Sequence, residues 1–455
     1  MNSKVPDGWD WTSIGKLADP NCKAIVSGPF GSNIGSRFFV GEGIPLIRGN
    51  NLTTDMTKFV DTGFVYITEE KAYELRNCEA VADDLIFTAA GSLGQVGIIP
   101  RNSRYSRYVI SNKQMRVRVD KTQLEPLFAF YWFSSKKMRD YIQQRNTGSS
   151  VPLINLGVLR ALPLPLPPLP EQRAIASILG ALDDKIELNR QMNHTLEQMA
   201  QALFQSWFVD FDPVWAKKEG RQPFGMDAGT ADLFPDEFEE SELGLIPKGW
   251  RLANISDVAD LNAWSLKKSD ALDVLHYIEI SEVSRGDVAN VQIYERGTEP
   301  SRARRRLSHG DTVLSTVRPD RKSYFLSLNP APNAVVSTGF AVISPRTVPW
   351  SFAHTALTQA TMFEYLGHLA DGGAYPAVRT DVIGSWNVVL APDKLLQKFH
   401  QVVSPLYMKA NCNRRESLVL AEIRDTLLPK LISGELRVPM DAESVVTQEV
   451  TLHDA

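Results

Sequence analysis

Apolar residues recur every seven positions in two long stretches of the chain, and the two stretches are in register with each other. In the first, the a-type positions are Ile175, Leu182, Asn189, Leu196 and Leu203; 224 residues further on stand Phe399, Leu406, Asn413, Leu420 and Leu427. The d-type positions are Ile178, Lys185, Met192, Met199 and Ser206, against Val402, Lys409, Glu416, Ile423 and Lys430. A seam of this period predicts a long helix burying one stripe against another helix. Both seams are interrupted by Asn at the same place.

The first helix is expected from Glu171 to Phe208, roughly 57 Å at about 1.5 Å per residue. Pairing with its copy is expected to be antiparallel, with Ile175 opposite Leu427 and Asn189 meeting Asn413 at the centre. An amide in an apolar seam fixes register, because misalignment buries it without a partner. Asn189 and Asn413 are therefore the expected register residues of the coiled coil.

A second repeat opens each copy. Pro6-Asp-Gly-Trp9, with Ile14 and Leu17-Ala-Asp19, returns 241 residues later as Pro247-Lys-Gly-Trp250, with Ile255 and Val258-Ala-Asp260. The unit is thus one variable segment followed by one long helix, used twice, which indicates duplication and not a solenoid of short repeats. Within the first segment, short β-like runs at Gly43–Arg48, Asp84–Thr88, Val96–Ile99 and Gln114–Val119 lie between Gly- and Asn-rich turns, and one helix is expected over Glu125–Gln143. That mixture predicts α+β. Leu162–Pro170 is too rich in proline for a helix and reads as a stiff extended connector.

The expected organisation is a first globular domain over 1–165, a long helix in 166–210, an acidic linker loop over 211–245, a second globular domain over 246–391, a long helix in 392–437 and a mobile tail over 438–455. The fold class is α+β: two globular domains separated by an antiparallel coiled coil, with an internal pseudo-two-fold repeat.

With 455 residues, 43% of them hydrophobic, the chain can bury two or three cores. No apolar run is long enough to span a membrane and the N-terminus lacks a signal core, so a cytoplasmic location is expected. Cys22, Cys78 and Cys412 are odd in number and far apart, which fits neither a disulfide framework nor a zinc site. Net charge is -4, but residues 209–247 hold ten acids against three bases, leaving the remainder at +3. Basic charge is gathered in Arg101, Arg104, Arg107, Lys113, Arg116 and Arg118, and again in Arg302, Arg304, Arg305, Arg306, Arg318, Arg321 and Lys322. Such patches are the footprint of phosphate contact; solvated hairpins are the plainer alternative.

Catalytic signatures are missing: no phosphate loop, no HExxH, no ligand-spaced group among the seven histidines. Asp212-Pro-Val-Trp215 is similar to the Asp-Pro-Pro-aromatic loop of amino-methyltransferases but has Val for the second Pro and no preceding cofactor-binding unit. Asp61, Glu69 and Lys71 have the loose spacing of a nuclease metal site. A nuclease or methyltransferase acting alone, and a helical scaffold that binds proteins without DNA, are the alternatives these features leave.

Gly148-Ser-Ser-Val-Pro152 with Ile154-Asn155, then Leu162-Pro-Leu-Pro-Leu-Pro-Pro-Leu-Pro-Glu-Gln-Arg173, give the chain its most specific likeness. Ser27–Ser32, Ile44–Arg48, Asp84–Thr88, Gly91–Gly97 and Leu428–Glu435 extend it. Together they resemble the specificity subunit of type I restriction-modification systems over nearly the whole length. The second copy departs from the pattern at Gly372-Gly-Ala-Tyr-Pro376 and Ala391-Pro-Asp393.

The resemblance implies a non-catalytic reader of double-stranded DNA, each globular segment being a target recognition domain for half of a split sequence and the coil a ruler between them. It implies two modification subunits and restriction subunits as partners; S-adenosylmethionine, ATP and magnesium belong to those partners, with no cofactor or metal held by this chain. The residues expected at DNA are Arg48, Asn50, Asn51, Arg104, Arg107, Asn112, Lys113 and Ser149 in the first domain. In the second they are Arg304, Arg305, Arg306, Arg318, Arg321, Tyr324, Tyr375 and Arg379. Replacing Arg304, Arg305 and Arg306 by Ala is expected to lower the salt slope of binding by up to about 2 to 3.

Overall fold

The computed structural model describes residues 6–148, 151–242, 244–267, 269–373 and 376–438. Two compact units emerge: one contains the chain up to Glu187 together with the part from Leu418, the other Leu188–Ser417. The part of the expected tail from 439 to 455 lies outside the described residues.

In the first unit the strands are β1 (Asp10–Ser13), β2 (Ile25–Ser27), β3 (Ile44–Ile47), β4 (Val65–Ile67), β5 (Glu79–Ala80), β6 (Leu85–Thr88), β7 (Val96–Ile98), β8 (Tyr108–Ile110), β9 (Gln114–Val117) and β10 (Pro163–Leu166). They form one sheet of order β2-β9-β6-β7, one of order β4-β3-β8-β5, and the pair β1-β10. The second unit continues with the hairpin β11 (Phe238–Ser241) and β12 (Gly244–Pro247), then β13 (Arg251–Asn254), β14 (Ala259–Leu261), β15 (Val274–Ile278), β16 (Val283–Ser284) and β17 (Asp287–Val288). After these come β18 (Gln292–Glu295), β19 (Ala303–Arg306), β20 (Thr312–Ser315), β21 (Tyr324–Leu326), β22 (Ala334–Ser337), β23 (Phe340–Pro345) and β24 (Asn387–Leu390).

The sheet orders β14-β23-β20-β21 and β18-β15-β22-β19 and the pair β13-β24 repeat the first unit strand for strand. Even the single parallel ladder of each copy matches, β3 on β8 and β15 on β22. The strands expected from sequence correspond to β3, β6, β7 and β9. The proline run is not merely a connector: β10 pairs along β1, with Trp11 opposite Pro165. Two proline nitrogens that cannot donate are tolerated because this is a two-stranded ribbon.

Two expectations need correction. The helix over Glu125–Gln143 is two helices, Pro126–Ser134 and Lys136–Gln143. Ser135 between them is extended and its hydroxyl accepts from Met138 N at 3.3 Å, an N-cap that restarts the chain in a new direction. The acidic stretch 211–245 is not a loop: it holds helices Asp212–Lys218 and Ala228–Ala231 and the hairpin β11-β12. Phe211, Val214 and Phe234 from it are buried in the second unit's core, so aromatic burial overrides its charge. Asp212-Pro-Val-Trp215 opens a helix there, which accounts for its proline without any base pocket.

The long helices are Leu169–Phe208 and Asp393–Ser433. Their antiparallel pairing is visible inside each unit. In the first, Ile175, Ala176 and Leu179 share a core with Leu428, Leu431 and Ile432, and the buried Asp183 meets Arg424 at 2.8 Å. In the second, Phe208 packs edge-on to Phe399 with centroids 5.0 Å apart, and Glu197 pairs with Arg414. Asn189 is fully buried and donates its amide to Asn413 O at 3.3 Å and Glu416 Oε2 at 2.9 Å, while the Asn413 amide reaches Asn193 Oδ1 at 2.9 Å. The two asparagines thus touch, though through a backbone carbonyl and neighbouring side chains instead of amide to amide.

Duplication extends to individual bonds. Tyr131 donates to Asp183 at 2.6 Å; at the equivalent positions Thr355 and Tyr407 hydroxyls lie 3.0 Å apart.

Candidate nucleic-acid interface

Four turns of the first unit meet where β3, β6 and β8 end: Ser27–Gly31, Arg48–Asn51, Ala89–Gln95 and Ser111–Lys113. Backbone bonds lock them together, Ser111 N to Ile47 O at 2.9 Å, Ala89 N to Lys113 O at 2.7 Å and Gly28 N to Gln114 O at 2.9 Å. Gly28 is a packing glycine, since a Cβ there would sit 1.8 Å from Ser111 O. Beyond it Phe30 is left 82% exposed. Between these turns opens a cleft of about 390 Å³ whose lining includes Arg48, Ser92, Gln95, Asn112, Lys113 and Gln114, with Phe39 and Leu46 as apolar floor.

Of the residues expected at DNA, Arg48, Asn112 and Lys113 come together here, with Asn112 and Lys113 exposed on the β8-β9 turn. Asn50 is exposed beside them and donates to Gly63 O at 3.2 Å. Asn51 does not belong to the set. It is fully buried, donating to Val60 O and Thr62 O, both at 2.9 Å, and accepting from Arg48 N. It pins the loop from inside, and its polarity serves the backbone.

Arg104 and Arg107 precede β8 whereas Asn112 and Lys113 follow it, so they stand at the strand's other end. Arg107 is held by Glu69 and, at 3.5 Å, by Glu79, and the Glu69 hydrogen bond raises its pKa. Arg104 is exposed with its guanidinium 5.6 Å from the Tyr105 ring centroid. Most other cations of that basic stretch are also committed internally. Arg101 pairs with Asp83, Arg118 with Asp84 at 2.7 Å, and Arg116 is buried on the carbonyls of Glu79 and Lys23. Asp61 accepts from Tyr108 at 2.7 Å, and burial together with that carboxylate pushes the phenol up to about 12. Ser149 and Tyr375 lie outside the described residues.

In the second unit the equivalent loops are the 3-10 turn Ile280–Glu282 after β15, the β20-β21 loop and the β22-β23 turn. Thr316 N to Gly339 O at 2.9 Å and Val378 N to Thr316 O at 2.9 Å repeat Ala89 N to Lys113 O and Ile154 N to Ala89 O. Glu279 therefore stands where the first unit has Arg48, and Gly339 where it has Lys113. The β20-β21 loop carries Arg318 and Arg321, with Arg318 and Lys322 both left-handed (φ 50 and 54). Left-handed non-glycine residues are strained, and such strain concentrates at binding loops. Arg321 is exposed.

The remaining expected residues are placed elsewhere. Arg304, Arg305 and Arg306 lie on β19, which runs antiparallel to β22 and carries them successively away from the Thr338-Gly339 turn. Each is tethered, to Ser301 O, Ser265 Oγ and Asp270 respectively. Tyr324 is a core residue, 4% exposed and stacked on Phe363 at 5.6 Å. Arg379 is exposed but paired with Asp381 at 2.7 Å. Arg302, absent from the expected set, is exposed at the start of this strand, and its carbonyl accepts from Thr338 N at 2.9 Å beside the turn. Its charge put it in the basic patch, but only the register of β19 on β22 distinguishes it from its three neighbours.

Among the described residues no group of three or more His, Cys, Asp or Glu side chains could hold a metal ion. No helix among them is long and apolar enough to cross a membrane.

Comparison with known proteins converges with this architecture. A family model described as the type I restriction modification DNA specificity domain matches residues 36–198. The type I restriction enzyme MjaIX specificity subunit of Methanocaldococcus jannaschii is 24% identical over 448 residues, 96% of this chain and 95% of that protein. Over nearly its whole length the chain is similar to specificity subunits of type I restriction enzymes. The HindI specificity subunit of Haemophilus influenzae is 27% identical over 396 residues, covering 74% of this chain and 85% of the relative. In fold, the S subunit of a type I system from M. genitalium superposes with a TM-score of 0.53 at 16% identity, covering 95% of this chain and 97% of that one. The likeness in fold spans both α+β units and both long helices of this chain.

Proposed function

We propose that this chain is the DNA-sequence specificity subunit of a type I restriction-modification complex, each globular domain reading one half of a split duplex target. The observation that carries the reading is the duplicated lobe: the same sheet orders twice, with the same loop cluster at the same strand ends but different side chains upon it. Equal scaffolds with unequal loops suit a reader of two unlike half-sites, since scaffold bonds position the loops and side chains specify. The chain acts without chemistry of its own and recruits two modification subunits, and through them restriction subunits. S-adenosylmethionine, ATP and magnesium reside on those partners, and the complex works in the cytoplasm.

Single-molecule sequencing for N6-methyladenine tests this in cells expressing the chain with its neighbouring modification subunit, against cells with that subunit alone. A split methylated motif that requires this chain is expected. No methylation despite a stable complex would leave a helical scaffold as the better description.

A further inference from the structure

The cleft of the first domain has a chemistry of its own. Its two charged lining residues are Arg48 and Lys113, with no carboxylate among the rest. Arg48 is half-buried, its Nε is fully buried without a hydrogen-bond partner, and no ion pair holds it among the described residues. A buried donor left empty is costly, so the arrangement points to an acceptor that arrives from outside. Ser92 and Asn112 stand beside the two cations, and glycines at 49 and 91 leave room for an approaching backbone.

Two of the three amides that line the cleft, Gln95 and Gln114, are already engaged. Gln95 donates to Leu52 O at 2.9 Å and accepts from Thr88, and Gln114 is bonded to the Ser111 hydroxyl. Two cations and a hydroxyl without an acid suit a tetrahedral oxyanion better than a base.

We propose that this cleft binds one phosphodiester of the DNA backbone, gripped by Arg48 and Lys113, and that the second domain lacks the equivalent grip because Glu279 and Gly339 occupy those positions. The two domains would then differ in task as well as in sequence read: the first is anchored at this point, the second relies on its β20-β21 loop. The inference rests on the DNA-reading function proposed above.

The test uses the full chain in complex with its modification subunits, and measures affinity across a salt series for a duplex bearing the methylated motif and for an unrelated duplex. For Arg48→Gln and for Lys113→Gln the slope of log affinity against log salt should fall by about 1 each, and by about 2 together. Affinity for both duplexes should fall by one common factor, the methylated motif should stay unchanged, and Arg48→Lys should keep the slope. Lys113 is exposed, so its variant folds irrespective of any role for Arg48 in packing. An unchanged slope in Lys113→Gln would overturn the anchor. So would a motif relaxed at one base, which would make Arg48 a base reader, or tight binding of inorganic phosphate with DNA slopes unaltered, which would make the cleft a small-anion site. If the wild-type complex does not prefer its motif duplex, the reading beneath the proposal fails instead.

Discussion

Trp9 donates its indole N–H to the buried Glu171 carboxylate at 3.0 Å, and the duplicated Trp250 has no such acceptor. The reason is in the repeat: the residue equivalent to Glu171 is Leu395, fully buried. In the first unit Arg437 completes the arrangement, binding Glu171 at 2.6 and 3.0 Å. In the second, the Phe211 ring lies 5.8 Å from Trp250. One copy ties strand entry to helix start with a charge, the other with apolar packing.

Glu171→Ala should therefore destabilise the first unit by about 2–4 kcal/mol, because it strands an indole donor and a guanidinium. Glu171→Leu should cost less than Ala, since the second unit shows that Leu fills the site. Denaturant midpoints read by tryptophan fluorescence would check the order; equal losses would mean that volume does not matter there.

The buried asparagines are proposed to set register. Leucine at both 189 and 413 should leave the denaturant midpoint equal or higher, because an amide in the seam is held at the expense of apolar packing. It should also admit a second alignment of the helices. Spin labels at the exposed Met199 and Val402 would show a broadened or doubled distance distribution; a single unshifted distance would remove the register role.

His354 lies fully inside the second unit, 3.1 Å from Thr312 Oγ1 through Nδ1, and burial lowers its pKa from 6.5 to about 3. Below pH 6.5 the unfolded chain takes up a proton that the folded one refuses. Its contribution to stability is therefore constant above that pH and is lost as pH falls from 6.5 toward 3, at up to about 1.4 kcal/mol per unit. His354→Gln should flatten that part of the pH profile. Hydrogen exchange of the helix Trp350–Leu357 across pH 7 to 5 measures it, and an identical slope in both proteins would place the pH sensitivity elsewhere.

On the second domain the loop cations should outweigh the strand cations. Arg302→Gln with Arg321→Gln should reduce the salt slope of DNA binding by about 2. Arg304, Arg305 and Arg306 replaced together should change it by less than the 2 to 3 expected from their charge alone. A larger effect from the strand triplet would put the interface along β19.

Periodic features were the legible ones. The long helices, the four strands and the duplication follow from spacing that survives without knowing any contact, and Asn189 with Asn413 stood out because they broke such a pattern. The interface was legible only in part. Arg48, Asn112 and Lys113 share one cleft, but Arg107, Arg116 and Arg118 looked like a basic patch because their partners Glu69, Glu79 and Asp84 come from other elements of the fold. Tyr324 and Asn51 carried polar groups that turned out to serve the interior. The break at Ser135 was hidden because a serine in an amphipathic run reads as helix until its cap is seen.

The contact between Gly28 and Ser111 has a thermodynamic reading. With a hypothetical methyl group only 1.8 Å from a carbonyl oxygen, the Ser27–Gly31 loop has no alternative seating against the turn that carries Lys113. Its backbone freedom is lost once, when the domain folds, so docking need not immobilise it again. Ordering flexible interface groups is one of the main opponents of association. Any residue larger than glycine at 28 would free the two turns from each other, and the expected signature is a slower approach to the bound state with the same final contacts.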